Sequence, residues 1–345
     1  MKNSLLVLIF VIISFGFICD VCQSADEVVT PPTKSARYSR GGLYGDWQVE
    51  ADYNGRKMES ILSFSRDEDG KQTGNWISFW GVSELKDVKY EDGQLSYAHV
   101  RQNREGESFT SNFKGTIVDG KLAGTISSDR GEYKLAGQRS KRISRAVGSW
   151  EMKLKRGERE FTSKLIIKAD NENKLTGQWL SQRAEHKIAI SDIEYERGKL
   201  AFKMKSDNDE HKWESAFEGT VRRDTLSGVL KSEKGETAAE GKRIGAAVIG
   251  TWNLEVTSDR GAREQRLKVN PDMSGLYGST AIEKVNFEDN KISFRISLEF
   301  GERTYEMSFA GKVDDAKLTG EIINSRGVSK VTGTKVVRKS RSRTK

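Results

Sequence analysis

The sequence predicts an all-β protein: three tandem antiparallel up-and-down β-barrels of about eight strands each, behind an N-terminal signal peptide. Three observations carry that expectation. Gly-x-Trp triplets recur at Gly45-Asp46-Trp47, Gly148-Ser149-Trp150 and Gly250-Thr251-Trp252, 103 and 102 residues apart. Short segments of alternating polarity lie between Gly, Asp and Asn turns, and no stretch beyond the first 24 residues has the period of an amphipathic helix. Proline is scarce (3) and glycine plentiful (33), a balance suited to hairpins and unsuited to Pro-rich linkers.

At the N-terminus, Lys2 precedes an apolar run from Leu5 to Cys19, and polar residues begin at Asp20. The run is too short and too weakly flanked for a spanning helix and matches the apolar core of a signal peptide. Residues 1–24 are expected to be cleaved, with Cys22 and Ser24 at the small-residue positions, and 25–42 to form a linker. No lipoprotein box precedes Cys19 or Cys22, so a lipid anchor is not expected. Both cysteines fall within the signal segment, which leaves the mature chain without a disulfide, a thiol nucleophile or a thiolate metal site. No later segment is apolar enough to span a membrane. The expected location is secreted or periplasmic, in either case extracytoplasmic.

The three units are expected at 43–141, 146–243 and 248–337, followed by a basic tail at 338–345. Fifteen residues after each tryptophan comes a strand pattern, Leu62-Ser63-Phe64, Leu165-Ile166-Ile167 and Leu267-Lys268-Val269. Gly74-x-Trp76-x-Ser78 is matched by Gly177-x-Trp179-x-Ser181 and Gly275-x-Tyr277-x-Ser279. Hairpins follow at Glu91-Asp92-Gly93, Glu196-Arg197-Gly198 and Glu288-Asp289-Asn290, where Gly or Asn suits positive φ. Phe-x-Gly steps (Phe113, Phe217, Phe309) and Leu-x-Gly strands (Leu122, Leu226, Leu318) come next, and the units end on Arg139, Arg243 and Lys335. Between its second and fourth strands the third unit has fewer residues than the others.

The formal net charge of +8 is unevenly spread. The stretches 34–40, 138–146, 242–249 and 335–345 hold fifteen Lys/Arg and no acid, leaving the rest at 8 − 15 = −7. The domains are therefore mildly acidic and the connectors basic. Export and acidic domains argue against nucleic-acid binding, and the tail reads as a solvated terminus able to meet a polyanion.

A Gly-x-Trp on the first strand with a Gly-x-Arg on the last resembles the lipocalin and wider calycin pattern. That resemblance implies that the tryptophan closes one end of the barrel under a basic residue from the final strand. Carried across by motif, Trp47 pairs with Arg139, Trp150 with Arg243 and Trp252 with Lys335. Gly177-Gln178-Trp179 after Leu175-Thr176 also resembles an avidin-like strand.

No catalytic constellation is expected. The three histidines, His99, His186 and His211, fall at non-equivalent places with no Ser or Cys partner suggested by a motif. Asp67-Glu68-Asp69-Gly70 lacks the alternating ligands of a calcium loop and reads as a turn, so neither a metal nor a cofactor is expected. Trp47, Trp150, Trp252, Phe113, Phe217 and Phe309 recur at matching places in the three units and read as core. The chemistry-bearing difference lies on the fifth strand, where the first unit places Leu95, Tyr97, His99 and Arg101 on one face. The second unit has Leu200, Phe202, Met204 and Ser206 there, and the third Ile292, Phe294, Ile296 and Leu298. The candidate ligand-binding residues are therefore Trp76, Ser78, Trp80, His99 and Arg101. An exported binding or accessory protein holding a small apolar or anionic ligand is the expected function. The alternative is a structural or interaction protein of the cell envelope, including inhibitor-like display of loops, with filled barrels. An open apolar cavity favours the first and a filled core the second.

Overall fold

Hairpins form where the sequence places residues tolerant of positive φ: Gly93 (81°), Gly198 (87°) and Asn290 (61°) each close a strand pair. A computed structural model describes residues 42–337 apart from 54–55, 103–105, 171, 182–186, 209–210 and 301–302. The expected signal peptide, nearly all of the 25–42 linker, the basic tail and His186 lie outside the described residues. Among the described residues every regular element is a strand, and no helix is long and apolar enough to cross a membrane.

The first barrel runs β1 (Gly45–Tyr53), β2 (Arg56–Arg66), β3 (Gln72–Ser78), β4 (Gly81–Glu91), β5 (Gln94–Gln102), β6 (Ser108–Val118), β7 (Lys121–Ser128) and β8 (Gly131–Arg139). It closes through an antiparallel β1–β8 ladder in which Trp47 faces Arg139 and Val49 faces Gly137. The second barrel comprises β9 (Gly148–Arg156), β10 (Arg159–Ala169), β11 (Leu175–Ser181), β12 (Lys187–Glu196), β13 (Lys199–Asn208), β14 (His211–Arg222), β15 (Thr225–Ser232) and β16 (Gly235–Arg243). Its closing ladder sets Trp150 opposite Arg243.

The third sheet has nine strands: β17 (Gly250–Ser258), β18 (Gly261–Val269), β19 (Gly275–Tyr277), β20 (Thr280–Ile282), β21 (Asn286–Glu288), β22 (Lys291–Phe300), β23 (Arg303–Asp314), β24 (Lys317–Asn324) and β25 (Gly327–Lys335). Its order is β20-β19-β18-β17-β25-β24-β23-β22-β21, so the sheet curls without closing. The expected all-β class of tandem barrels is seen, with the third barrel curled but open. The cause is local: β19 has three residues where β3 and β11 have seven. The next strand is split into β20 and β21, three residues each, where β4 has eleven.

Each core is an aromatic stack. Tyr97 lies on Phe113 (4.8 Å between centroids), Phe202 on Phe217 (4.8 Å) and Phe294 on Phe309 (5.0 Å). The ring of Phe113 lies over the cross-strand glycines Gly115 and Gly124, where a Cβ would meet the ring at 2.5 and 2.6 Å. Phe217 and Phe309 lie over matching pairs. Glycine is required at these positions to admit a ring flat against the inner face of the sheet.

Candidate functional site

The closed end of each unit is built the same way. The indole N–H of Trp47 donates to the Leu43 carbonyl (2.8 Å), that of Trp150 to Ala146 (3.0 Å) and that of Trp252 to Val248 (2.8 Å). A cation covers each ring: Arg139 at 4.6 Å from the centroid of Trp47, Arg243 at 4.0 Å from Trp150, and the Lys335 ammonium at 5.5 Å from Trp252. The same cation ties down the turn leading into the unit. Arg139 donates to Tyr44 and Gly42, Arg243 to Val147 and Arg145, and Lys335 to Ala246 and Ala247. Removal from water pushes the Arg139, Arg243 and Lys335 pKa values down, partly offset at Arg243 by Asp224.

The other end of the first barrel holds the candidate binding residues. Leu95, Tyr97 and His99 alternate into the interior, and β5 continues to Gln102, leaving Arg101 exposed at the rim. The Trp76 and His99 rings stack 5.0 Å apart at 16°. His99 Nε2 is 2.7 Å from the Ser83 hydroxyl, a partner that no motif announced. Burial, with Arg101 nearby, lowers the His99 pKa to about 4. With that pKa the imidazole is neutral at pH 7. Ser78 caps its own turn, with its hydroxyl accepting from the Trp80 N–H (3.2 Å). The Tyr97 hydroxyl is buried with no hydrogen-bond partner, and burial raises its pKa well above the phenolic value.

Trp76, Ser78, Trp80, His99 and Arg101 all line one cleft of ≈ 1570 Å³. Its far wall is the third sheet, and the turn joining β3 to β4 bridges the two. Phe79 leaves the first barrel and packs in the core of the third sheet, edge-on to Tyr305 (5.5 Å) and Tyr277 (6.2 Å). Gln265 on β18 donates to the Phe79 carbonyl (2.8 Å) and the Ser78 carbonyl (3.2 Å). Gly278, at φ 61°, lies so close to the Ser78 carbonyl that a Cβ there would collide with it. Beside this turn Asp46 receives Arg266 (3.0 and 3.3 Å), Lys268 (3.4 Å) and the Ser63 hydroxyl (2.8 Å). Burial works to raise the Asp46 pKa, but the two cations and the hydrogen bonds prevail and hold it below 3.8. Sequence reasoning missed Phe79, Asp46, Gln265 and Arg266; the only signal for them is the shortened third strand of the third unit.

No protein-family model and no curated protein matches this sequence. Among solved structures, a Bacteroides fragilis protein provisionally described as an outer membrane protein is 9% identical, with 85% of this chain and 98% of that one covered, at a TM-score of 0.23. Isotype 1 transferrin binding protein B from serogroup B Neisseria meningitidis is 14% identical over 80% of this chain and 65% of that one, at 0.18. A mutant transferrin binding protein B from Haemophilus parasuis is 11% identical over 86% and 76%, at 0.21. At these scores the likeness carries no argument about this chain.

Proposed function

We propose that the chain is an exported, non-catalytic binding protein whose recognition surface is the cleft between the first barrel and the third sheet. One observation supports this above the rest: Trp76, Ser78, Trp80, His99 and Arg101 converge on that cleft while stacked aromatics fill the barrel interiors. The ligand therefore sits between units, at the polar mouth of the first barrel, and not inside a barrel. The Trp76–His99 stack supplies a flat apolar wall, and Arg101 supplies a cation at the rim for an anionic group. The filled cores equally favour the second reading, an envelope interaction protein displaying loops with no small ligand.

A thermal-shift series of small carboxylates and aromatic acids on the full chain separates the two. Ligand-dependent stabilisation of about 2 °C or more, lost in Arg101→Ala, is expected. A flat response in both proteins would replace the small-ligand reading with the display reading. Recovery of the exported protein with its N-terminus near residue 25, read by mass spectrometry, tests the export step.

A further inference from the structure

The cleft lies across the strand ends of the first barrel and third sheet that face away from the lids, and the turn Ser78-Phe79-Trp80-Gly81 stands between them. That turn is built like Ser128-Asp129-Arg130-Gly131, Ser258-Asp259-Arg260-Gly261 and Asn324-Ser325-Arg326-Gly327. In each, the first side-chain oxygen accepts from the backbone N–H two residues on, at 3.2, 3.3, 3.3 and 2.8 Å. Three of the four carry arginine at that tip position, as a solvated turn does. The fourth carries Trp80, which is 52% exposed. Phe79 meets the Trp80 ring edge-on (5.1 Å, 78°) and is itself buried in the core of the third sheet. Trp80 is thus a rigid apolar face presented to the cleft at little cost in entropy. Met58 and Ile323, also large apolar side chains left exposed, line the same cleft.

The rest of the lining is polar and of both signs. Five glutamates and three Lys/Arg line the cleft, and the Lys57–Glu50 pair (2.9 Å) takes one of each. Four carboxylates and the guanidinium groups of Arg101 and Arg295 remain. A polyanion would meet the glutamates and a polycation the arginines. A neutral polyol uses both, since its hydroxyls donate to carboxylates and accept from guanidinium N–H groups. The cleft volume of ≈ 1570 Å³ exceeds that of a usual small-molecule pocket, roughly 300–1,000 Å³, and has room for several linked rings. A polyol of that size with apolar faces is an oligosaccharide. Pyranoses with equatorial substituents carry axial C–H groups on both faces, and those hydrogens lie well against the electron-rich face of an indole.

We propose that the cleft binds an oligosaccharide of β-linked, equatorially substituted pyranoses, the cellulose and chitin type. Trp80 is the stacking platform, and Glu283, Glu299 and Glu306 on the wall of the third sheet accept from the sugar hydroxyls. The proposal rests on the reading of the cleft as the recognition surface and names the class of its ligand.

The test is isothermal titration calorimetry on the full chain with cellohexaose and with chitohexaose. Saturable binding of at least one is expected. Isomaltohexaose, whose flexible α-linked chain offers no continuous flat face, should bind roughly tenfold or more weakly. Trp80→Arg gives the turn the residue that its three counterparts carry and should lower affinity by roughly tenfold or more. Trp80→Phe keeps a ring at the tip and should hold affinity within about threefold. Glu299→Ala combined with Glu306→Ala, both exposed positions, should weaken binding by roughly tenfold. Circular dichroism and melting temperature establish that each variant is folded. No saturation by either hexasaccharide, equal binding of isomaltohexaose, or undiminished binding by Trp80→Arg overturns the proposal. The small-acid response controlled by Arg101 separates two kinds of failure. An acid response with both hexasaccharides silent refutes the glycan assignment alone, and silence of acids and hexasaccharides together refutes the cleft as a recognition surface.

Discussion

At the residue scale, the Gly-x-Trp motif follows from what the lid cation needs. Gly45, Gly148 and Gly250 adopt φ of 117°, 128° and 135°, and the lid cation fills the space where a Cβ would stand. At Gly148 that Cβ would lie 2.6 Å from Arg243 Nη1. Gly148→Ala is therefore expected to displace the guanidinium and cost about 1–3 kcal/mol by urea unfolding, from strain at a φ that L-residues avoid. Trp47→Ala, which empties a fully buried indole site, should cost on the order of 3–5 kcal/mol. Both motif ends were legible in the sequence because they sit on adjacent strands in fixed register. Ser83 was not, since nothing local distinguishes it from other strand serines. His99 gives a pH signature. Its folded pKa, about 4, lies below the ordinary 6.5, so between those values the unfolded chain binds the extra proton. Its contribution therefore disfavours the folded state progressively as pH falls from 6.5 to 4, by an amount of order 2–4 kcal/mol. Replacing His99 with Met, the residue at the matching place in the second barrel, should flatten that part of the melting-temperature profile; an unchanged slope would contradict the depressed pKa.

At the element scale, the turn between β3 and β4 belongs to two structures at once. In the second barrel β11 and β12 complete the wall themselves. In the third unit the matching strands are too short, and Phe79 of the first barrel supplies the missing apolar volume. The shortage of residues was visible in the sequence. Its consequence was not, because Phe79 occupies a turn between strands and no periodicity assigns a turn residue to a distant core. Phe79→Ala should destabilise the molecule by about 3–5 kcal/mol, as removal of a buried phenylalanine does. The location of the effect is the sharper readout. Amide exchange should accelerate in β18, β19 and β20 and stay unchanged in the second barrel, β9 to β16. Uniform acceleration across all three units would mean that the ring stabilises the chain in some other way.

At the scale of the whole molecule, first and third units are joined although the second lies between them in sequence. The tandem spacing and strand count were legible because repetition leaves a periodic record. The pairing of Asp46 with Arg266 and Lys268 leaves none, since its partners stand 220 and 222 residues away. The junction combines a buried aromatic, two side-chain-to-carbonyl hydrogen bonds and a desolvated carboxylate between two cations. A carboxylate held by partly buried cations resists screening better than an exposed pair, so salt alone should not part the units. Limited proteolysis near the expected unit boundaries, 140–146 and 244–249, is therefore expected to yield first and third fragments that co-elute on size exclusion. Because the Asp46 pKa is lowered on folding, its contribution is fully present above 3.8 and is lost only as pH falls through its depressed folded value. Co-elution should persist at pH 5 and fail in more acidic buffer. Asp46→Ala leaves Arg266 largely buried without its counter-ion and should release the two fragments at neutral pH. Three fragments that separate at pH 7 from the unsubstituted chain would show that the barrels are independent and that the cleft between them is not a fixed surface.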